Sequence, residues 1–420
     1  MRILHVLHAY PPSMGGIQWL FQNLSERLVR DFGDVVTVYT TTAYRNTLFW
    51  DPHQPALPAE DEMQAGVSVR RFSVWNHCPQ VRLNLARVAH KLRLPGEDWL
   101  RSFYFGPIVP GLARAIASAN VDVVVAAAFP LLHMHVALRA ARRSHTPIVF
   151  VGALHPVDAW CFGRANIYQA IRQVNAYIAL SEFERDYILA QHAAPLGDAD
   201  RIHVIGGGVD VAGFEHPVTE RAALRRQWGW RQDDPAVIFV GRQAEHKRID
   251  VLIAAMQVVW ERVPTAQLLI AGARTAYTPQ LERRVAALPD AQRACITWVD
   301  DFEEAEKPAL LAACDILANP SAYESFGLVF LEAWAAGLPV IGTRSGAIPT
   351  IIDEGRTGLL AAYGDVAAWG HALLRLVESP QLRVRMGAAG RAKVRMHYDW
   401  PVITRRFRVA YARVVEKVHG

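Results

Sequence analysis

Two carboxylates, Glu324 and Glu332, stand in the most apolar neighbourhood of this 420-residue chain, within the stretch NPSAYESFGLVFLEAWAAGLPVIGT. Ionised side chains are rarely placed in such surroundings without partners. The stretch opens as a Pro-Ser loop, continues as an apolar helix starting near Phe326, and ends as a β-run over residues 339–342. From that start Glu332 lies about two turns in, roughly 9 Å along the axis, while Glu324 precedes the first turn. The free N–H groups of a helix start carry partial positive charge and suit a phosphate. An anion on the amides of Phe326, Gly327 and Leu328, with a carboxylate on either side, matches an elongated ligand: polyol, diphosphate, polyol. Taken singly, Glu324 reads as an ordinary helix-start acid and Glu332 as its accidental neighbour eight residues on. Together, with the flanking Pro-Ser and Gly-Leu-Pro, they favour a ligand site.

Cations of matching chemistry occur upstream. GRQAEHKRID places Arg242 and Lys247 in a loop between a strand and a helix beginning near Ile249. Arginine offers a planar fork to phosphate oxygens and lysine a mobile point charge. Two exposed charges at a helix start are the plain alternative, but cations are mildly unfavourable there, and that mismatch supports an anionic partner. Near the N-terminus HAYPPSMGG joins a strand to a helix without a GxGxxG fingerprint. Gly15 and Gly16 let backbone amides approach an anion closely, and a plain tight turn fits them too. His155 follows the strand in PIVFVGALH, where parallel sheets place ligand groups.

The spacing of Glu324 and Glu332, followed by Ala333 and Gly337-Leu338-Pro339-Val340, resembles the EX7E signature of the retaining glycosyltransferases of family 4. The resemblance runs from Met1 to the final helix and is strongest over residues 204–364. It implies a GT-B fold, two Rossmann-like domains facing across a cleft, and transfer of a hexosyl group from a UDP- or GDP-linked sugar to a glycan or lipid-linked acceptor. Arg242 and Lys247 match the family's GR-x4-K, which holds the donor diphosphate. By the same resemblance Glu332 holds the ribose hydroxyls, Glu324 and His155 contact the hexose, Gly16 of the Gly15-Gly16 pair faces the phosphate, and the loop after Val299 borders the nucleobase. That loop, WVDD, departs from the usual pattern with Gly, so the base stays open. Gly207 likewise stands where the family often has Asn, and any role of that side chain does not carry over.

These residues need elements to position them. Apolar runs at residues 2–7, 35–41, 67–72, 121–126, 147–151 and 176–180 alternate with helical spacing, giving one doubly wound parallel α/β sheet. Residues 42–66, rich in Pro, Asp and Glu, read as a loop. Runs at residues 236–240, 267–271, 296–299, 315–318 and 339–342 predict a second such sheet. The expected division is an acceptor-side domain over residues 1–205, a nucleotide-sugar domain over 206–398, and a last helix over 399–420 crossing back to the first. Gly206-Gly207-Gly208 suit the hinge. Over residues 81–105 basic and apolar residues interleave. A solvated face on a packed helix is the commoner explanation of such a segment, and an anionic membrane surface is the other.

The totals fit. Hydrophobic content of 51% with 20% charge describes a folded chain long enough for two domains. Nineteen basic and 16 acidic residues precede Ile205 and 26 and 24 follow, so neither half is basic enough to argue for nucleic acid. No HExxH or other metal cluster appears, and Asp198-Ala199-Asp200 only superficially resembles a DxD metal motif, so the expected site needs no metal and no cofactor beyond its nucleotide sugar. Four scattered cysteines and an N-terminus without a signal-peptide pattern point to a reducing cytoplasm, at the inner face of the membrane if residues 81–105 touch it. Rival readings are a glycoside hydrolase using the two glutamates, a related phosphorylase or epimerase, and an inactive nucleotide-sugar-binding protein.

Overall fold

The computed structural model describes residues 1–154, 158–191, 201–215 and 218–419. The chain divides into two compact units, Met1–Gly206 with Ile403–Gly420, and Gly207–Val402.

The sheet of the first unit contains β1 (Arg2–Val6), β2 (Val35–Thr41), β3 (Asp61–Gln64), β4 (Val67–Phe72), β5 (Val123–Ala127), β6 (Ile148–Val151), β7 (Ala176–Ala179) and β8 (Ile202–Val204). Their order is β3-β4-β2-β1-β5-β6-β7-β8. All neighbours are parallel except β3, which runs antiparallel to β4. The central strands β5, β6 and β7 are buried along their whole length, as β-branched and small apolar runs covered on both faces should be. The segment read as a loop between β2 and β4 is more ordered than that reading. It carries the 3-10 turn Asn46–Phe49, which buries Leu48 and Phe49, and β3, whose sequence DEMQ lacks strand chemistry. An edge strand pairs through its backbone on one side only, so its side chains need no apolar pattern. Residues 403–419 of the last helix, Trp400–His419, belong with this unit. Arg408 donates to Asp34 at 2.8 Å, and the N-terminal ammonium reaches the same carboxylate at 2.7 Å.

Residues 81–105 form two helices, α2 (Pro79–Lys91) and α3 (Glu97–Phe105), broken at Gly96, which has φ 82°. The expectation of a packed helix with a solvated polar face fails here. In α2 the buried residues are Ala86 and Ala89, Leu83 is half-buried, and Val81, Leu85 and Val88 point outward.

The second unit holds β9 (Ala236–Val240), β10 (Gln267–Ala271), β11 (Ile296–Val299), β12 (Ile316–Asn319), β13 (Val340–Thr343) and β14 (Gly358–Ala361), all parallel in the order β11-β10-β9-β12-β13-β14. The order reverses between β9 and β12, which makes the ends of those two strands the topological switch point of the sheet. Phe239, Leu252, Ile270 and Trp369 lie in the core on one face. The helix Leu328–Ala335 carries apolar residues on nearly every side and is mostly buried, as that composition requires. Among the described residues no helix is long and apolar enough to cross a membrane.

At the start of this unit Gly207 and Gly208 are placed by close approach. A Cβ on Gly207 would stand 2.6 Å from Leu328, and one on Gly208 2.5 Å from the Trp400 ring.

Candidate donor site

Within the second unit the loops after β9 and β12 flank the switch point, and they carry Arg242, Lys247 and Glu324. These loops are bonded to each other. Lys247 Nζ donates to Glu324 Oε1 at 2.6 Å, and the Ala322 amide donates to the His246 carbonyl at 3.4 Å. Asn319, the last residue of β12, adds its side-chain amide to the same Glu324 oxygen at 3.4 Å. Arg242 is exposed and has no ion pair among the described residues. The next arginine differs, since Arg248 is clamped on Asp250 at 3.0 Å.

The loop after β9 is held from beneath by a residue that spacing did not single out. Gln243 is fully buried and donates through Nε2 to the Gly272 carbonyl at 2.8 Å and to Asp300 Oδ1 at 2.6 Å. Thr275 Oγ1 donates back to the Gln243 carbonyl at 2.6 Å. The ends of β9, β10 and β11 are thereby tied together, with Val299 closing β11 and the Val299 carbonyl accepting from the Gly272 amide at 2.9 Å. Gln243 stands between Arg242 and Ala244, and nothing in that spacing marks it as buried.

The apolar helix begins at Leu328, two residues later than its composition suggests, because Gly327 is its N-cap at φ 87°. Left-handed geometry costs a residue with a Cβ roughly 1–2 kcal/mol, and here that atom would also stand 2.7 Å from the Phe330 ring. The first amides of the helix have no intrahelical partner, and Glu324 precedes them by four residues. With the later start, Glu332 lies about 6 Å along the axis rather than 9 Å.

Glu332 is buried and ion-paired to Lys307 Nζ at 2.8 Å, and Glu304 binds the same ammonium. Burial pushes the Glu332 carboxyl above its ordinary value, and the Lys307 ammonium opposes that. Lys307 comes from the helix Lys307–Ala312, 25 residues upstream. Periodicity within either helix carries no sign of it.

In the first unit Gly16 opens helix α1 (Gly16–Phe32), with Gly15 as its extended N-cap. A Cβ on Gly16 would meet nothing within 4 Å, whereas one on Gly15 would meet the end of the buried Gln18, whose amide nitrogen lies 3.4 Å from His8 Nε2. The switch point of this sheet lies between β1 and β5, and two buried histidines sit there, His8 after β1 and His133 in the helix Leu132–Arg143, with ring centroids 6.0 Å apart. His133 Nε2 donates to the Ala127 carbonyl at 2.8 Å. Burial lowers the pKa of both, His8 to about 3, with His133 adding to the shift, and His133 to about 4. His155 and Asp198-Ala199-Asp200 lie outside the described residues. The backbone leading to His155 is nonetheless fixed, because the buried Glu184 carboxylate accepts from the Ala153 and Leu154 amides at 3.1 and 3.0 Å. Among the described residues no group of three His, Cys, Asp or Glu could hold a metal ion.

Both halves of the chain match known families. Residues 15–208 match the glycosyl transferase 4-like domain and residues 220–393 the glycosyl transferases group 1 family. A D-inositol 3-phosphate glycosyltransferase of Corynebacterium efficiens is 38% identical over 196 residues, 45% of this chain, and the chain spans about half of that relative's length, 46%. One of the same description from Xylanimonas cellulosilytica is 30% identical over 76% of this chain and 74% of its own. A GDP-mannose-dependent alpha-(1-6)-phosphatidylinositol monomannoside mannosyltransferase of Mycolicibacterium smegmatis is 27% identical over 100% of this chain and 98% of its own. Among solved structures, Anabaena HepE in complex with UDP has a TM-score of 0.72 at 18% identity, over 98% of this chain and 100% of HepE. Sucrose-phosphate synthase from Thermosynechococcus elongatus has a TM-score of 0.74 at 20% identity, over 99% and 100%. The chain has the GT-B fold and belongs to the glycosyltransferase group 1 family, family 4 of the nucleotide-sugar glycosyltransferases.

Proposed function

We propose that the protein transfers a hexosyl group from a UDP- or GDP-linked sugar to a glycan or lipid-linked acceptor, with retention at the anomeric carbon and without a metal ion. The observation that carries this reading is the Lys247–Glu324 pair at the switch point, with an exposed Arg242 on the same loop as Lys247 that has no ion pair among the described residues. Lys247 is held near its place of action by a carboxylate that an arriving diphosphate can displace. Arg242, Lys247 and the amides at Phe326, Gly327 and Leu328 then stabilise the negative charge that develops as the nucleoside diphosphate departs.

Glu332, five residues into the helix and pinned by Lys307, is assigned to the ribose hydroxyls. Glu324 is assigned to the donor hexose and Val299 to the edge of the base. In the first unit we assign ligand contacts to Gly16 and His155. The departing phosphate takes the acceptor proton on the face it leaves, so no enzyme nucleophile is required. Relatives whose names specify GDP-mannose and a phosphatidylinositol monomannoside, and a neighbour holding UDP, support the donor class and a lipid-linked acceptor. Four free cysteines fit a reducing compartment, the cytoplasm.

Thermal stability with UDP, GDP and ADP, each in EDTA and in magnesium, tests the reading. A nucleotide at a hundred times its dissociation constant adds about 2.7 kcal/mol to the folded state. A selective shift that survives EDTA is expected, followed by turnover of the matching sugar donor with the anomeric configuration read by NMR. No shift with any nucleotide at saturating concentration would sink the proposal. A shift only with magnesium would remove the role given to Arg242 and Lys247, and turnover of a simple glycoside without nucleotide would favour hydrolysis.

A further inference from the structure

The helical hairpin of α2 and α3 is built inside out. In α2 the fully buried side chains are Ala86 and Ala89, with Arg82 and Leu83 half-buried, while Val81, Leu85, Val88 and Leu92, at the i, i+4, i+7, i+11 spacing of one helical face, are each between 53% and 62% exposed. In α3 the inversion is sharper. Arg101 is 1% exposed, and Trp99, Leu100 and Phe103 are all exposed. Leu94, beside the break at Gly96, is exposed as well. A monomer surface scatters single apolar residues, and a contiguous apolar face marks an interaction site.

Charge decides what the face meets. The two acids of the hairpin, Glu97 and Asp98, are committed to the buried Arg101, each at 2.7 Å, and Glu97 also takes His90 at 3.2 Å. Arg87, Lys91 and Arg93 are exposed and have no ion pair among the described residues. Next to Trp99, on the helix Leu132–Arg143, a groove adds three exposed arginines, Arg139, Arg142 and Arg143. The surface is therefore aliphatic and aromatic, edged by cations, with its own acids neutralised. A second copy of the chain would bring like charges together across such a face. An anionic lipid surface offers acyl chains to the apolar stripe and headgroup charge to its rim.

We infer that α2 and α3 dock this protein on an anionic membrane surface, with Val81, Leu85, Val88 and Leu92 entering the acyl boundary and Arg87, Lys91 and Arg93 in the headgroup layer. The inference goes beyond the donor reading, and neither depends on the other.

Flotation of the full chain with vesicles tests it, using phosphatidylcholine alone and equal parts of phosphatidylcholine and phosphatidylglycerol. The protein is expected to float with the anionic vesicles only, and less so as salt rises. Each basic residue near such a surface is worth about fivefold in binding, so Arg87→Gln, Lys91→Gln and Arg93→Gln together should weaken it about a hundredfold. Leu85→Asp with Val88→Asp should abolish it. These positions are exposed, so the variants should keep the wild-type melting temperature and its rise with nucleoside diphosphate, which separates loss of docking from loss of fold or of the donor site. Failure to float with anionic vesicles, equal flotation with neutral ones, or unchanged flotation of the aspartate variant overturns the inference. A vesicle-free dimer that Leu85→Asp dissociates also overturns it and assigns the face to a second copy.

Discussion

Lys247 donates to Glu324 across 2.6 Å, and the bond joins the loops that follow β9 and β12, the two strands between which the order of the second sheet reverses. Both side chains are partly shielded, 18% and 16% exposed. The pair is buried enough to hold a geometry and accessible enough to be exchanged for a ligand. Asn319 steadies the carboxylate and Gln243 steadies the loop beneath the cation, so both charges are presented on fixed backbone.

Lys247→Met should therefore separate activity from stability. A partly exposed pair is worth up to about 1 kcal/mol, so urea unfolding should change little. Loss of a group that stabilises leaving-group charge should lower kcat by roughly 10²–10³. Steady-state kinetics on the matching nucleotide sugar would settle the point, and a kcat within twofold of wild type would remove Lys247 from the chemistry.

Gly327→Ala tests the turn that opens the helix. The φ of 87° and a Cβ placed 2.7 Å from the Phe330 ring give two independent costs. We expect a loss of roughly 2–3 kcal/mol, from left-handed strain and displaced packing together, and weaker nucleoside diphosphate binding in calorimetry. Unchanged affinity in the folded variant would mean that the amides of this turn do not meet the ligand.

Much of the second unit was legible because its strands are short apolar runs bounded by turn residues. β9 and β10, buried throughout, and the half-buried edge strand β11 fall where their apolar runs do. The helix start did not, since Phe326 continues the apolar run while Gly327 turns the backbone out of it. β3 was missed because strand pairing is a backbone property and DEMQ gives no side-chain sign of it. Glu324 and Glu332 were legible as charges in the wrong surroundings. Their pairings were not. Lys247 stood out as a phosphate ligand but not as a partner of Glu324, and Lys307 did not stand out at all. They lie 77 and 25 residues from the two glutamates, and only the fold brings them together. The hairpin was legible in composition, but which face turned outward depends on packing against the rest of the first unit.

The Lys307–Glu332 pair has a pH signature. Burial raises the Glu332 carboxyl, so its contribution to stability is greatest in acid and is lost as pH rises through the raised value. Lys307 restrains that rise, and Lys307→Met should therefore steepen the loss. A buried charge left without its partner costs roughly 3–5 kcal/mol. We expect most of that above neutral pH and less as the solution is made acidic, because protonation removes the stranded charge. Adding Glu332→Gln should restore stability above neutral pH. An equal penalty above neutral pH and in acid would show that the lysine acts through packing alone.

The first unit should be the acid-labile part of the molecule. His5, His8, His133 and His135 are all buried there, and burial lowers their pKa from 6.5 to about 3 for His5 and His8 and about 4 for His133 and His135. Arg164 and His133 add to the shift at His135. A histidine held neutral by the fold adds stability above its unfolded pKa and loses it as pH falls toward the folded one, because the unfolded chain takes up the proton first. Each such group contributes a slope of up to about 1.4 kcal/mol per pH unit below 6.5. The described histidines of the second unit, His246, His371 and His397, are exposed. Hydrogen exchange read by peptide mass spectrometry from neutral pH downward should show β1, β5 and the helix Leu132–Arg143 losing protection while β9 and β12 keep theirs. His133→Gln retains a donor for the Ala127 carbonyl and cannot titrate, so it should flatten the acid slope whatever it does at neutral pH. Loss of protection in both units at one pH, or an unchanged slope in that variant, would place the acid sensitivity outside these histidines.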